Sequence, residues 1–405
     1  GGHRVLWSTW PDSLSPTAHQ PGVDRAQQSP GDPSPLSQGP NHRPRHRCAD
    51  RDLRSASWGW ECDHGLVLAA RLNTPDPDPA RAMSVGEVAD PVGPGTLIQV
   101  TATAVCRTDL QLVTGDLPAH RMPVIPGHQV VGRIAEGPDA GRRVGLVWLA
   151  YACGVCDFCR TGRENLCEHA QFTGWDVDGG YAQLVRADPG FIHPIPHSLD
   201  ERSDADVAPL LCGGVIGFRS LHIAGITGPA PEGQTQRLGL FGFGASASLA
   251  IQVANHWGVR CSVITRSAAE VDRAMSLGAE WAGTYDETVP HELDAAVTFA
   301  PSGDVVVAAL RSVRRGGTVA INAIHLDRIP QFDYDDLWWE RSLRSVANVT
   351  RADVRDFLEL VGPADVRTAY ETLPLTAAAS ALDRVSAGDV TGSLVLIPEG
   401  SPGGR

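Results

Sequence analysis

The 405-residue sequence predicts an α/β chain in which a β-rich domain precedes a doubly wound parallel sheet. Three observations predict it. Short apolar runs broken by Gly and Pro turns fill residues 66–200. From about residue 215 to 349, apolar runs alternate with stretches of helical period. A Gly-x-Gly-x-x-Ala turn joins the first of those runs to the helix after it.

Residues 1–64 stand apart from this pattern. Proline is frequent in the first 44 residues, mixed with Ser, Gly, Gln, His and Arg. Such a stretch buries too little apolar surface to offset its chain entropy, so a disordered extension is expected. The chain begins with Gly1 and its first methionine is Met83, which fits an extension or a mis-assigned start. A docking tail is the functional alternative.

Order is expected from Leu66, where Leu66-Val67-Leu68-Ala69-Ala70 opens the first of two domains, residues 65–214. Residues 97–106 read as a β-rich strand after the turn Gly93-Pro94-Gly95. The second domain spans residues 215–349. Residues 238–241 form its first buried strand. Residues 245–257 form a helix, with Leu249, Val253 and Trp257 one turn apart. Residues 261–265 are the next strand, and Ser267 with Glu270 reads as a capping box. Further strands are expected at 295–299, 318–323 and 343–349. Residues 350–400, with one helix and a strand at 393–397, are expected to return to the first domain.

Hydrophobic residues make up 42% of the chain, enough for a packed core. The net charge of -13 argues against broad nucleic-acid binding, which needs basic surface. No apolar run approaches the roughly 20 residues of a membrane helix, and no signal-peptide core opens the chain. Nine cysteines, clustered rather than spread, suggest metal ligation in a reducing cytoplasm.

Four of them fall in Cys153-Gly-Val-Cys156-Asp-Phe-Cys159, followed by Cys167. Two-residue gaps let successive thiolates converge, and a short loop returns the fourth. Four sulfurs fill a tetrahedral zinc and leave no open corner, so this reads as a structural site. An iron–sulfur cluster or a disulfide pair is the rival, but the proline-terminated ferredoxin spacing is missing.

Cys106, His128 and Cys212 could form a second site. Each alone is unremarkable: a lone His in a turn or a lone buried Cys is ordinary. Their settings are more telling. Cys106 opens Cys106-Arg107-Thr108-Asp109 at a strand end, and His128 follows the turn Pro126-Gly127. Two thiolates and one imidazole give zinc three ligands with a fourth position free for chemistry.

In order along the chain, the Cys-Arg-Thr-Asp step, the Pro-Gly-His turn, the four-cysteine lobe, Gly179-Gly180-Tyr181-Ala182 and Leu211-Cys212-Gly213 resemble the zinc-dependent alcohol dehydrogenases of the medium-chain dehydrogenase/reductase superfamily. The likeness runs from about Leu66 to Glu399. It implies a GroES-like catalytic domain with a Rossmann domain, and two zinc ions per chain. Cys106, His128 and Cys212 would hold the catalytic zinc. Thr108 would bond the substrate hydroxyl and start a proton relay, and Asp109 would orient His128. Trp148 would line the substrate pocket, with a packed core tryptophan as the alternative. Two positions depart from the family. Gln129 stands where Glu usually follows the metal-binding His, and Gln111 where a relay His often stands. Neither amide can carry a proton near neutral pH.

The turn Gly242-Phe243-Gly244-Ala245-Ser246-Ala247 suits a dinucleotide. Gly242 permits the tight turn, Gly244 lets backbone approach the pyrophosphate, and Ala247 allows close packing. The second strand ends in Thr265-Arg266 with no Asp or Glu. A hydroxyl and a guanidinium suit a ribose phosphate, so NADP(H) is expected over NAD(H). By the resemblance, Arg107 and Arg351 would clamp the pyrophosphate. The expected activity is reversible hydride transfer between a small alcohol and NAD(P). The alternatives are an NADPH-dependent carbonyl reductase and an inactive cofactor-binding homologue. A dimer or tetramer is expected by resemblance alone.

Overall fold

The computed structural model describes residues 65–324, 326 and 328–400. The expected extension, residues 1–64, lies outside the described residues.

Six parallel strands form one sheet, in the order Trp281–Thr284, Arg260–Thr265, Arg237–Phe241, Leu293–Thr298, Val313–Ile321, Ser342–Ser345. The chain starts in the third position and builds outward, first one way and then the other. The order therefore reverses between Arg237–Phe241 and Leu293–Thr298, where such sheets leave a crevice for ligand. The strands are nearly continuous apolar runs because helices cover both faces: Leu238, Leu240, Val263, Ala295 and Val297 are buried on one side, Phe241, Ile264, Ala296 and Val319 on the other. Trp281–Thr284 is a strand that sequence reading missed. It has four residues, one of them Gly, and too little apolar signal to stand out.

The β-rich part is a seven-stranded sheet, largely antiparallel. Along its main path lie Tyr370–Pro374, Ser393–Ile397, Thr96–Ala104, Gln129–Ile134, Arg143–Leu146 and His193–Pro194. Leu184–Ala187 pairs with Thr96–Ala104 off this path. Ser393–Ile397 pairs with Thr96–Ala104 through Val395 opposite Ala104. The end of the chain therefore closes against the strand that leads into Cys106. A hairpin of Leu66–Leu72 and Met83–Ala89 joins through Ala70 N–H, which donates to Tyr181 O at 2.8 Å.

One core serves both sheets. Ala102, Ala104 and Val131 of the β-rich sheet share a buried cluster with Leu210, Val215, Phe218, Leu249 and Val253. The helix Gly213–Ile223 is the element between them. Its small residues let it come close to the helix Ala245–His256: a Cβ built on Gly217 would lie 3.1 Å from Ser246 O and 3.2 Å from Ala250 Cβ. The segment carrying Cys212 is thus packed directly on the helix that follows the glycine turn.

Candidate active site

Two groups of metal-ligating side chains converge among the described residues: Cys153, Cys156, Cys159 and Cys167, and Cys106, His128 and Cys212. Within each group the ligand atoms all lie within 4.8 Å of one another. Zinc–sulfur bonds of about 2.3 Å put the corners of a tetrahedron roughly 3.8 Å apart, so both groups fit one ion. The six cysteines of the two groups are all free thiols, which removes the disulfide alternative for the lobe.

The lobe is built by local backbone. Cys156 caps the short helix Asp157–Arg160, accepting from Cys159 N–H at 3.5 Å. Cys167 Sγ accepts from Cys153 N–H and His169 N–H, both at 3.4 Å. Cys153 Sγ and Cys159 Sγ are 3.9 Å apart. Backbone N–H groups of Val155 and Cys156 draw the Cys153 pKa down to about 6, which favours the thiolate a metal needs. Glu164 and Asn165 anchor the lobe. Glu164 Oε1 accepts from Arg351 N–H at 3.0 Å and Nε–H at 3.2 Å, and Asn165 Nδ2 donates to Ala347 O at 2.6 Å.

The three-ligand group is assembled from three distant places. Cys106 ends the long strand Thr96–Ala104 and caps the helix Arg107–Thr114. His128 leads into the strand Gln129–Ile134. Cys212 precedes the helix Gly213–Ile223. Asp109 ties the first two together. Its Oδ2 accepts from Cys106 N–H at 2.9 Å, and its Oδ1 lies 3.0 Å from His128 Nδ1 and accepts from Gly127 N–H at 3.2 Å. Tyr181 Oη donates to Asp109 Oδ2 at 3.1 Å. With Nδ1–H donated to Asp109, Nε2 is the ring nitrogen left to offer a metal.

Tyr181 was not singled out by its residue type; only the Gly-Gly-Tyr motif drew attention to it. The structure shows why those residues go together. Gly127 has φ +95°, and a Cβ there would come within 2.3 Å of the Tyr181 ring. A Cβ on Gly179 would meet Gly127 O at 2.1 Å. Gly180 N–H donates to Gly127 O at 2.8 Å and Tyr181 N–H to Pro126 O at 3.0 Å. The two glycine turns interlock and aim both His128 and Tyr181 at Asp109.

The electrostatics match a cation site. Burial alone would lower the His128 pKa, but the Asp109 charge and hydrogen bond outweigh it and raise it to about 10. A hydrogen bond with Cys212 holds the Cys106 thiol well below its ordinary value, against the effect of burial, and pushes the Cys212 thiol up. Thr108 is buried beside them, its Oγ1 3.7 Å from Cys106 Sγ. Gln129 is buried too, with its amide 3.5 Å from Ala104 O.

Trp148 lies with its ring 6.1 Å from that of His128 and 5.7 Å from Trp175, the latter stacked. Phe172 closes the group at 4.8 Å from Trp148. His120 stacks on Trp175 at 4.0 Å and bonds Asp176 at 2.7 Å. Trp175, Phe172 and His120 were missed from sequence. They carry no motif, and only the fold gathers them.

At the dinucleotide turn, Gly242 has φ +92°, and its N–H donates to Ile264 O at 2.7 Å. Gly244 is exposed, and a Cβ there would touch nothing within 4 Å, whereas Ala247 is fully buried. That leaves Gly244 as the point of open approach. Arg107 is exposed on the first turn of its helix, where it donates to Val385 O at 3.3 Å. The half-exposed Arg351 guanidinium pairs with Glu164 and lies 5.1 Å from the Phe191 ring. The capping box at Ser267 is half made. Ser267 Oγ accepts from Glu270 N–H, but the Glu270 carboxylate turns away to take the Thr265 hydroxyl.

Comparison with known proteins agrees with this geometry. The Alcohol dehydrogenase GroES-like domain family matches residues 94–197. A probable alcohol dehydrogenase, AdhA, of Mycobacterium tuberculosis is 44% identical over 313 residues, covering 74% of this chain and 88% of that protein. An alcohol dehydrogenase of Geobacillus stearothermophilus is 32% identical over 315 residues, covering 74% and 90%. The cobalt- and zinc-bound thermostable alcohol dehydrogenase of Pyrobaculum aerophilum shares the fold with a TM-score of 0.72 at 22% identity, over 82% of this chain and all of that one. With its interlocked glycine turns, its two converging ligand groups and a relative this similar over most of its length, the chain belongs to the alcohol dehydrogenases of the medium-chain dehydrogenase/reductase superfamily.

Proposed function

We propose that the chain catalyses reversible hydride transfer between an alcohol and a nicotinamide dinucleotide, giving the aldehyde or ketone, with one zinc at Cys106, His128 and Cys212 and a second at the lobe. In this reading residues 65–214 and 350–400 form the catalytic part and 215–349 the dinucleotide part. The observation that carries it is the convergence of two half-buried thiols and one buried imidazole, with a buried threonine hydroxyl beside Cys106. Zinc held there would supply Lewis acidity toward an alcohol oxygen at its open position.

The chain's own residues supply the rest. Asp109 fixes the His128 ring so that Nε2 faces the ligand position. Thr108 Oγ1, beside Cys106, accepts the hydrogen bond of the substrate hydroxyl and passes its proton outward. Gln111 cannot hold that proton near neutral pH, so it leaves through water or a ribose hydroxyl. Trp148, Phe172 and Trp175 form an aromatic wall that keeps water from the reacting carbon and favours substrates with apolar substituents. Gly242 and Gly244 receive the pyrophosphate, with Arg107 and Arg351 as the guanidiniums proposed to clamp it. The exposed Arg266 suits a ribose phosphate and favours NADP(H). A reductase working mainly with NADPH is the second reading, and Arg266 is what favours it. Among the described residues no helix is long and apolar enough to cross a membrane. The proposed partner is a small alcohol or carbonyl compound. Assembly as a dimer or tetramer is part of the proposal by family likeness.

The test is Cys106→Ser and His128→Ala on zinc-replete protein. Turnover of a panel of alcohols and aldehydes should fall by about 10³-fold or more, the loss of several kcal/mol of charge stabilisation. Bound zinc should fall from two per chain to one, with dinucleotide binding kept. Full activity in either variant refutes zinc catalysis. Two zincs and bound dinucleotide without turnover in the unaltered chain would establish a cofactor-binding homologue instead.

A further inference from the structure

The strand Arg260–Thr265 ends against the glycine turn, since Gly242 N–H donates to Ile264 O. A dinucleotide seated on that turn would bring its adenosine ribose to this strand end. Sequence reading finds only a hydroxyl and a guanidinium there. The fold adds a carboxylate, because Glu270, one turn into the helix Ala268–Ser276, reaches back to Thr265. Thr265 is buried and its hydroxyl is given to Glu270. Arg266, with 77% of its side chain exposed, has Nε 3.8 Å from the other Glu270 oxygen. Arg273, from the next turn of the same helix, donates to Phe243 O inside the glycine turn and is spent on shaping it.

We infer that Glu270 decides how strongly this site distinguishes a ribose carrying a 2′-phosphate from one that does not. The inference rests on the dinucleotide reading of the glycine turn. A bare ribose offers two hydroxyls, which a carboxylate accepts. A 2′-phosphate brings almost two negative charges next to Glu270 and must take Arg266 away from it. Glu270 therefore holds down the phosphate preference that Arg266 alone would give. Removing its charge, not its shape, should release that preference.

The experiment is calorimetric binding of adenosine 2′,5′-bisphosphate and of 5′-AMP to the full zinc-loaded chain, a readout independent of turnover. Glu270→Gln keeps an acceptor for the Thr265 hydroxyl, and its backbone N–H still donates to Ser267 Oγ, so the fold is preserved. It should tighten the bisphosphate about tenfold, the scale of removing one carboxylate–phosphate repulsion at roughly 5 Å in wet surroundings, and leave 5′-AMP unchanged or weaker. Arg266→Ala should weaken the bisphosphate alone. If Glu270→Gln shifts both compounds equally, or neither, the inference is overturned while the dinucleotide site stands. If the unaltered chain binds neither compound, both readings fall together.

Discussion

The four-cysteine lobe and the three-ligand cluster use the same donor chemistry but reach it by opposite routes. In the lobe, all four sulfurs come from one segment of fifteen residues, 153–167, and are aimed by backbone N–H groups of that same segment. Three of the four are partly exposed. In the cluster, ligands come from positions 106, 128 and 212, and the buried Asp109 carboxylate, bonded to Cys106 N–H, His128, Gly127 N–H and Tyr181, aims the first two. With zinc bound as proposed, the lobe would spend its whole coordination capacity on folding. The cluster, with zinc bound likewise, would keep one position free, and so would depend on side chains that do not touch the ion to hold its ligands. A site open for chemistry must be made rigid from behind.

That contrast breaks cleanly under mutation. Cys156→Ser or Cys159→Ser should remove one zinc per chain and lower the thermal unfolding midpoint, because the lobe has little apolar core of its own and its metal contributes several kcal/mol. Turnover per folded molecule should persist. If these variants lose turnover while zinc content and melting midpoint are unchanged, the division of roles between the two sites is wrong.

Asp109→Asn tests the second half of the contrast. The amide can accept from Gly127 or Cys106 but cannot hold His128 as a charge does. Zinc affinity at the cluster and kcat/KM should fall about 10- to 100-fold, while lobe zinc and melting midpoint stay close to those of the unaltered chain. Tyr181→Phe removes one of the four hydrogen bonds to Asp109 and should produce a smaller loss of the same kind. Metal titration with competing chelator reads both, and an Asp109→Asn chain with unchanged affinity would show that the ligands need no such support.

The same contrast explains what sequence could reveal. The lobe is legible because its ligands are neighbours and spacing alone implies convergence. The cluster is legible only through the turns around each ligand, since nothing in a lone His128 says that Cys212 will meet it. Tyr181 was legible only as part of its Gly-Gly-Tyr motif, and Trp175, Phe172 and His120 not at all, because their contacts join segments more than fifty residues apart or depend on ring packing. The helical start at Ser267 reads as a complete capping box, yet the end of the preceding strand gives Glu270 another partner in Thr265. Arg351 is ambiguous for a related reason: a guanidinium suits phosphate and carboxylate alike, and here it pairs with Glu164.

Where the lobe meets the rest of the fold, the comparison can be sharpened with pH. His193 sits buried on the strand that pairs with Gly145, beside Arg351 and Glu164. Burial, reinforced by the Arg351 charge, lowers its pKa from 6.5 to about 4. The unfolded chain takes up a proton near pH 6.5 that the folded chain refuses until about pH 4. Stability from this group is therefore whole above pH 6.5 and drains away as pH falls through that window. At pH 5.5 the loss is about 1.4 kcal/mol, one pKa unit's worth. His193→Gln, which cannot titrate, should flatten the dependence of the urea midpoint between pH 7 and pH 5.5 even if it costs some stability at both. The cluster ligands are held at other positions, so the variant's zinc affinity at pH 7 should match the unaltered chain. If the midpoint of the variant falls with pH as steeply as before, the acid sensitivity lies elsewhere, and the junction between lobe and fold is not its source.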